Sequence, residues 1–313
     1  MLTRFTVDGL GAEGSRRVPT IRGSSKEFYA TSDPNVLLVR FRDTLHGAER
    51  EREVTGTGRL RERFCHSFYR LLEREGIRTH LARTFGATPL GPEGALLDSG
   101  LLVNRLDMVA IELIARFVAR GHWVDAHKYP VLEAGAALGE PVTELCLKWR
   151  GDVDVLGYSR LRPWQKRAHR WLGHTPLRDL LTPATWTRDD PRINADLALA
   201  LHRHATSPRV RGHMLTRREE AEELRSLTLR VNAVMQRFLR SQGFVLEDSK
   251  FEVGRFPEAT GFVVADEYSQ DSTRIRDGRG NSLSKDLHRR LKPASEVFAG
   301  YARLTEAIER YAA

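Results

Sequence analysis

Asp248, Lys250 and Glu252 alternate along one short run, and Asp266 and Glu267 close a second run a few residues later. A period of two puts the first three side chains on one face of a strand. Residues 250–253 and 261–267 read as the two strands of a hairpin. Phe262, Val263 and Val264 are a β-type run, and Gly254, Pro257 and Gly261 punctuate the connection. Such a hairpin sets two or three carboxylates beside a lysine. Hard cations such as Mg²⁺ take one or two protein carboxylates together with substrate phosphates. A lysine next to them suits a phosphate or a carboxylate substrate. The plainer alternative is a solvated face on an edge hairpin, laced with cross-strand ion pairs.

Other elements must hold this hairpin in place. Residues 216–242 form the clearest helix: Thr216 and Glu219 make a capping box, Leu224, Leu227, Val231, Val234 and Phe238 make an apolar stripe, and Gly243 stops it. It is expected to pack on the sheet that carries the hairpin. A second helix spans 60–75, with Leu60, Phe64, Phe68 and Leu71 or Leu72 at helical spacing and Gly76 behind it. Toward the N-terminus, short strands flank the turn Gly23-Ser24-Ser25-Lys26, and a further turn at 32–35 leads to the strand 36–41. Strand, small-residue turn, strand is one way to lay backbone N–H groups over phosphates; an ordinary meander is the alternative. A polar loop is expected from Thr44 to Thr55. Residues 106–121 fit either a buried strand or a short helix, and 283–312 read as two helices parted near Pro293.

Composition narrows the function classes. The chain has 313 residues, 41% hydrophobic and 29% charged, which is ordinary for a globular protein with a sizeable core. No apolar run reaches the roughly 18–20 residues that span a bilayer, and the first ten residues lack the apolar centre of a signal peptide. Cys65 and Cys146 have no metal spacing and read as core residues. A cytoplasmic protein without a membrane partner is the expectation. The net charge of +9 is compatible with nucleic acid, anionic lipid or a phosphorylated small molecule. The basic residues are scattered and no aromatics interleave with them, so nucleic acid is not expected. Lysine occurs at only seven positions, among them Lys26 and Lys250. In so arginine-biased a chain, a lysine at a motif position is informative.

Several strings, in order, resemble the SAICAR synthetase family (phosphoribosylaminoimidazole-succinocarboxamide synthase). The densest is the run Asp-x-Lys-x-Glu-x-Gly at 248–254, followed by Ala265-Asp266-Glu267-x-Ser269-x-Asp271-x-x-Arg274, then Lys285-Asp286 and Arg289. Upstream, Gly23, Lys26 and Tyr29 match a Gly-rich segment, Asp43 a partly kept one, Gly76-Ile77-x-Thr79-His80 a third, and Glu112, Arg116 and Gly121 a fourth. The resemblance covers residues 23–289 apart from about 149–188, which reads as an insertion. It implies an α+β, SAICAR-synthetase-like two-lobed fold: an antiparallel-sheet nucleotide-binding lobe at 1–103, an α+β substrate and metal lobe at 104–313, and the ATP site between them. It makes 106–121 a strand. It further implies an ATP- and Mg²⁺-dependent ligase that joins the carboxylate of an azole ribotide to the amine of aspartate, or a related amino acid, through an acyl phosphate.

By that resemblance, Glu252 and Asp266 hold Mg²⁺ on the ATP phosphates, and Gly23, Ser25 and Lys26 form the phosphate loop. Lys250 bridges the transferring phosphate and the substrate carboxylate. Arg116, His122 and Arg274 grip the ribotide phosphate, while Asp43, Asp248 and Asp271 face its ring or sugar. The chain departs from the family at Ser24 and Thr57, where lysines stand, and at His122, Ser249 and Gln270. Those departures lead us to expect a specialised member acting in nucleoside natural-product biosynthesis, with housekeeping purine synthesis as the alternative. A kinase-like phosphotransferase and an inactive ATP-binding homologue are further alternatives. Self-association stays open.

Overall fold

The computed structural model describes residues 19–47, 50–91, 94–98, 100–119, 135–147, 215, 219–257 and 259–313. The expected insertion at 149–188, His122, Gly121 and the capping residue Thr216 lie outside them. The chain divides into two compact units, Met1–Leu106 with Arg237–Val245 and Glu267–Ala313, and Asp107–Gln236 with Leu246–Asp266. Both are built of antiparallel strands and helices, so the fold class is α+β.

The first unit begins with β1 (Ile21–Arg22), β2 (Lys26–Ala30) and β3 (Val36–Phe41). β2 and β3 pair antiparallel, with Lys26 opposite Phe41. The stretch expected as a polar loop is instead a hairpin of β4 (Thr44–Gly47) and β5 (Arg50–Glu53). Its strands read as loop because Arg50 to Glu53 are all charged and carry no apolar alternation. Helix α1 (Thr57–Arg74) follows. Phe64 and Phe68 are wholly buried, each contributing roughly 2–3 kcal/mol through lost apolar surface. Gly76 ends the helix with φ 70°, the left-handed stop that glycine allows. Small strands β6 (Thr84–Phe85), β7 (Thr88–Pro89) and β8 (Leu96–Leu97) lead to β9 (Gly100–Asn104), and β9 pairs with β3. Tyr29, Val36, Leu38, Ala82, Leu90 and Leu102 form one core cluster here.

The second unit is a sheet with a helix. Its strands are β10 (Asp107–Val118), β11 (Ala137–Leu147), β12 (Val245–Arg255) and β13 (Val263–Ala265), in the order β11-β10-β12-β13. The ambiguous run is therefore strand over Asp107–Val118. β12 is flanked on both sides, so it is no edge strand. Directly opposed residues in an antiparallel ladder share a face, and the register sets Glu112 opposite Glu252, Ile114 opposite Lys250 and Arg116 opposite Asp248. That face is charged. The residues between them, Ile111, Leu113, Ala115, Phe251 and Val253, are buried on the other face. Helix α2 (Glu219–Ser241) has its apolar stripe at Leu224, Val231, Val234 and Phe238, all buried, and Gly243 closes it at φ 69°. Asn232 of α2 receives the Ser249 hydroxyl at 2.5 Å, so α2 lies against the apolar face of β12.

The chain then returns to the first unit as β14 (Thr273–Arg276), the short α3 (Asp286–Arg289) and α4 (Ala294–Ala312). α3 and α4 are the two helices expected around Pro293. Leu45, Val54, Leu60, Leu287, Val297 and Tyr301 form a second core cluster, tying α4 to the β4–β5 hairpin and α1.

Candidate active site

In the second unit, strand alternation does what the sequence predicts. Lys250 Nζ lies 3.1 Å from Glu112 Oε1 and 3.4 Å from Glu252 Oε1. Burial opposes the ammonium charge, but Glu252, Glu112 and Asp266 outweigh it and hold the Lys250 pKa above its ordinary value. Lys250 is a fixed cation in a nest of carboxylates, with about a third of its side chain still open to solvent. Glu252 is only 3% exposed, so its carboxylate is not a freely solvated one. Glu112 carries no sequence signal beyond its place in a matched string; only the β10–β12 register brings it to Lys250. One residue pair further along, Arg116 Nε donates to Glu144 Oε2, and its Nη1 lies 3.7 Å from Asp248 Oδ2. Arg116 and Asp248 are therefore neighbours on the same face, both buried.

Asp266 adopts φ 61°. A non-glycine residue there costs on the order of 1 kcal/mol, and such strain clusters at functional positions. Two carboxylates, Glu252 and Asp266, are the hard oxygen donors that Mg²⁺ takes when substrate phosphates and water complete its shell. Among the described residues no group of three or more His, Cys, Asp or Glu is placed to cage a metal unaided. The two-carboxylate donor set fits a cation that shares its shell with a phosphate.

The first unit holds a different cluster. Lys26 Nζ lies 3.4 Å from Glu267 Oε2, and Arg61 grips the same carboxylate from Nε at 2.9 Å and Nη2 at 3.2 Å. The Ser269 hydroxyl also donates to Glu267. Burial pushes against the Glu267 charge, but Arg61 and Lys26 hold its pKa below the ordinary carboxylate value. The turn ahead of β2 is anchored through its carbonyls. The Ser24 oxygen accepts from Arg42 Nη1 at 2.8 Å and lies 3.0 Å from His46 Nε2. The Ser25 oxygen accepts from the Arg42 N–H at 2.9 Å and from Arg61 Nη2 at 3.3 Å. The Gly23 N–H bonds the Lys26 carbonyl at 2.8 Å.

Other expected site residues are also tied down. Asp43 accepts the Gly56 N–H at 2.9 Å and the Gly58 N–H at 2.8 Å, so its carboxylate caps the start of α1 from another strand end. Gly58 is obligatory, because a Cβ there would stand 2.2 Å from the Phe41 carbonyl oxygen. Arg274 Nε donates to Asp286 at 3.0 Å. Asp271 accepts the Tyr301 hydroxyl at 3.4 Å. The structure thus brings Lys250, Glu252, Asp266, Asp248 and Arg116 together in one unit. Gly23, Ser25, Lys26, Asp43, Asp271 and Arg274 belong to the other.

The departures are also located. Thr57 is buried, and its hydroxyl donates to the Val54 carbonyl at 2.7 Å. Ser249 faces Asn232, not the charged face. Gln270 is buried and its Nε2 donates to the Tyr301 carbonyl at 3.0 Å and Thr305 Oγ1 at 2.7 Å, fixing α4. These three residues serve packing inside the protein. Cys65 is likewise a core residue, its thiol pushed up to about 12 by burial.

The family model for SAICAR synthetase matches residues 19–156 and 175–303. The chain is 30% identical to the phosphoribosylaminoimidazole-succinocarboxamide synthase of Methanococcoides burtonii over 270 residues, which is 85% of this chain and 87% of that protein. It is 29% identical to the Methanosarcina mazei enzyme of the same name, over 88% of this chain and 90% of that one. Among solved structures, the Ehrlichia chaffeensis phosphoribosylaminoimidazole-succinocarboxamide synthase superposes with a TM-score of 0.64 at 19% identity, covering 93% of this chain and 98% of that one. A SAICAR synthetase in complex with ADP gives 0.61 at 22% identity, covering 92% and 96%. At these identities the structures establish the fold.

Proposed function

The chain belongs to the SAICAR synthetase family, and from that premise we propose that it is the housekeeping ligase of purine biosynthesis, joining aspartate to the carboxylate of the carboxyaminoimidazole ribotide with ATP. The observation that carries this reading is Lys250 held between Glu112 and Glu252 on one sheet face, with Asp266 near enough to bias its charge.

The chemistry explains why such a constellation is useful. A carboxylate does not acylate an amine at neutral pH, because an oxide is a poor leaving group. Transfer of the ATP γ-phosphoryl group to a carboxylate oxygen makes a mixed anhydride; the aspartate amine then attacks the carbonyl carbon and phosphate departs with that oxygen. The protein must bring anionic reactants together and offset developing negative charge. In this reading Lys250 lies between the transferring phosphate and the ribotide carboxylate. Glu252 and Asp266 would hold Mg²⁺, which neutralises the ATP phosphates when bound. Lys26, on the turn with Gly23 and Ser25, receives the nucleotide phosphates. Arg116, Arg274 and His122 receive the ribotide phosphate, for which the planar guanidinium is well suited. Asp248 and Asp271 face the ring or sugar, and Asp43 serves by fixing the start of α1. Nucleotide handling is assigned to residues 1–103, substrate and metal handling to 104–313, and the setting to the cytoplasm.

The expectation of a specialised natural-product enzyme loses most of its support. Of the five departures behind it, Thr57, Ser249 and Gln270 are spent on internal hydrogen bonds. Ser24 and His122 remain, and they motivate a second reading in which a related azole ribotide is the acceptor. Incubation with ATP, Mg²⁺, aspartate and the carboxyaminoimidazole ribotide, followed by mass detection, separates the cases. The proposal expects the succinocarboxamide adduct with ADP and free phosphate in equal amounts. Phosphate retained on the product would make the protein a kinase. Nucleotide binding without turnover would direct the search to other ribotide carboxylates.

A further inference from the structure

Arg61 is the largest side chain that is wholly buried in the described structure. A buried guanidinium is costly unless every direction of its fork is met, so what it meets indicates why it is there. Nε and Nη2 form a bidentate pair with Glu267. Nη2 also reaches the Ser25 carbonyl at 3.3 Å, while Nη1 reaches the carbonyls of Arg42 at 3.2 Å and Thr44 at 3.4 Å. The ring of Phe41 lies 5.3 Å from its Cζ and 5.6 Å from Lys26 Nζ, so one aromatic ring is shared by both cations. Arg61 therefore touches the turn before β2, the segment after β3, and the carboxylate that holds Lys26.

We propose that Arg61 is a positioning residue for nucleotide binding: by sharing and clamping Glu267 it weakens that carboxylate's hold on Lys26, and through the Ser25 carbonyl it fixes the turn that presents Lys26. The charge arithmetic supports this. Arg61, Lys26 and Glu267 together carry +1. Without Arg61 the Lys26–Glu267 pair carries 0, and Lys26 becomes the sole counter-ion of a buried carboxylate. Thr57 stands one helical turn before Arg61 on α1 and carries no charge, so Arg61 is the cation that this face of the helix supplies. The proposal rests on the reading of Lys26 as a phosphate ligand.

The test is a set of ADP affinities, measured by calorimetry on the full chain for the wild type, Lys26→Ala, Arg61→Met, Arg61→Lys, Glu267→Gln and the double variant Arg61→Met/Glu267→Gln, with thermal unfolding of each. The proposal expects Arg61→Met to weaken ADP about tenfold, Arg61→Lys to recover part of that, and the double variant to bind better than Arg61→Met alone, because removing the Glu267 charge releases Lys26. In steady state the loss falls on the ATP KM and spares the ribotide KM. Equal loss of affinity from Arg61→Met with and without the Glu267 charge would overturn the role through Glu267. Unchanged affinity in Lys26→Ala would instead overturn the reading of Lys26 and the inference with it. If Arg61→Met does not fold, Arg61→Lys and Glu267→Gln decide: ADP binding by Arg61→Lys equal to wild type, together with unchanged binding by Glu267→Gln, contradicts the proposal.

Discussion

Lys250 and Lys26 both face carboxylates, and they are held in opposite ways. Lys250 sits on a strand, and its partners arrive by alternation and register: Glu252 two residues on, Glu112 on the neighbouring strand. It keeps contact with solvent, with about a third of its side chain open. Lys26 is 8% exposed, and its partner Glu267 lies 241 positions away in the sequence, clamped by a fully buried arginine. The first arrangement follows from the geometry of one sheet. The second depends on long-range packing and has no local rule behind it. A pattern of period two can therefore build a charged face from local sequence, whereas the buried Lys26 shares its carboxylate with a second buried cation brought in by packing.

The largest expected effect breaks the first arrangement. Lys250→Met removes the charge between the two carboxylates, and kcat is expected to fall by about 10³, on the scale of losing one electrostatic donor at a transition state. Single-turnover product formation measures it. If the two arrangements were equivalent, Lys26→Met would cost the same in kcat; the expectation is that its loss appears mainly in the ATP KM.

Asp266 sharpens the comparison because it combines charge with strain. Asn tolerates the left-handed region and alanine does so poorly. Asp266→Asn is expected to lower kcat about 100-fold, a loss of the size seen for one electrostatic group, with little change in Tm. Asp266→Ala should match that kinetic loss and unfold earlier by roughly 1 kcal/mol. Equal Tm values for the two variants would remove strain from the account.

Asp43 tests the packed region without touching chemistry. Asp43→Ala uncaps the Gly56 and Gly58 N–H groups and is expected to cost about 1–2 kcal/mol in urea unfolding. kcat at saturating substrate should stay within about twofold, since a residue that acts only by capping α1 leaves transition-state contacts intact. A large kcat loss with unchanged stability would return Asp43 to the substrate.

The smallest effects are the limbs of the stability–pH profile. The Glu267 pKa is depressed in the folded protein by Arg61 and Lys26 against burial. Its contribution is present above the unfolded carboxylate value of about 4.3 and is lost as pH falls through the lower folded value. The Lys250 pKa is raised by Glu252, Glu112 and Asp266 against burial. Its contribution is present below about 10.4 and is lost as pH climbs through the higher folded value. Glu267→Gln should therefore flatten the acid limb of Tm against pH, and Lys250→Met the alkaline limb. A swap of limbs would contradict the pairing described here.

The same contrast governs what could be read from sequence. The Asp248, Lys250, Glu252 face, the helix at 57–74 and the helix with its stripe at Leu224, Val231 and Phe238 were legible because one period runs through each. The β4–β5 hairpin was not, since Arg50 to Glu53 carry no apolar alternation. Glu112 was legible only as part of a matched string, because its role depends on which residue of β12 it faces. Arg61 was invisible as a functional residue. It looks like one more polar position on an amphipathic helix, and only folding reveals that it points inward at Glu267. Ser249 and Gln270, departures from the family inside its densest strings, are both packing residues: alternation places Ser249 opposite to its neighbours Asp248 and Lys250, and that signal is present in the sequence.

The central claim, that a carboxylate is activated by phosphoryl transfer before the amine attacks, has a direct test. The carboxyaminoimidazole ribotide is prepared with ¹⁸O in its carboxylate and turned over with ATP, Mg²⁺ and aspartate, and the released phosphate is weighed by mass spectrometry. The account predicts one ¹⁸O in each phosphate, since the oxygen that attacks phosphorus must leave with it. Amide product accompanied by phosphate without label would contradict the acyl-phosphate route.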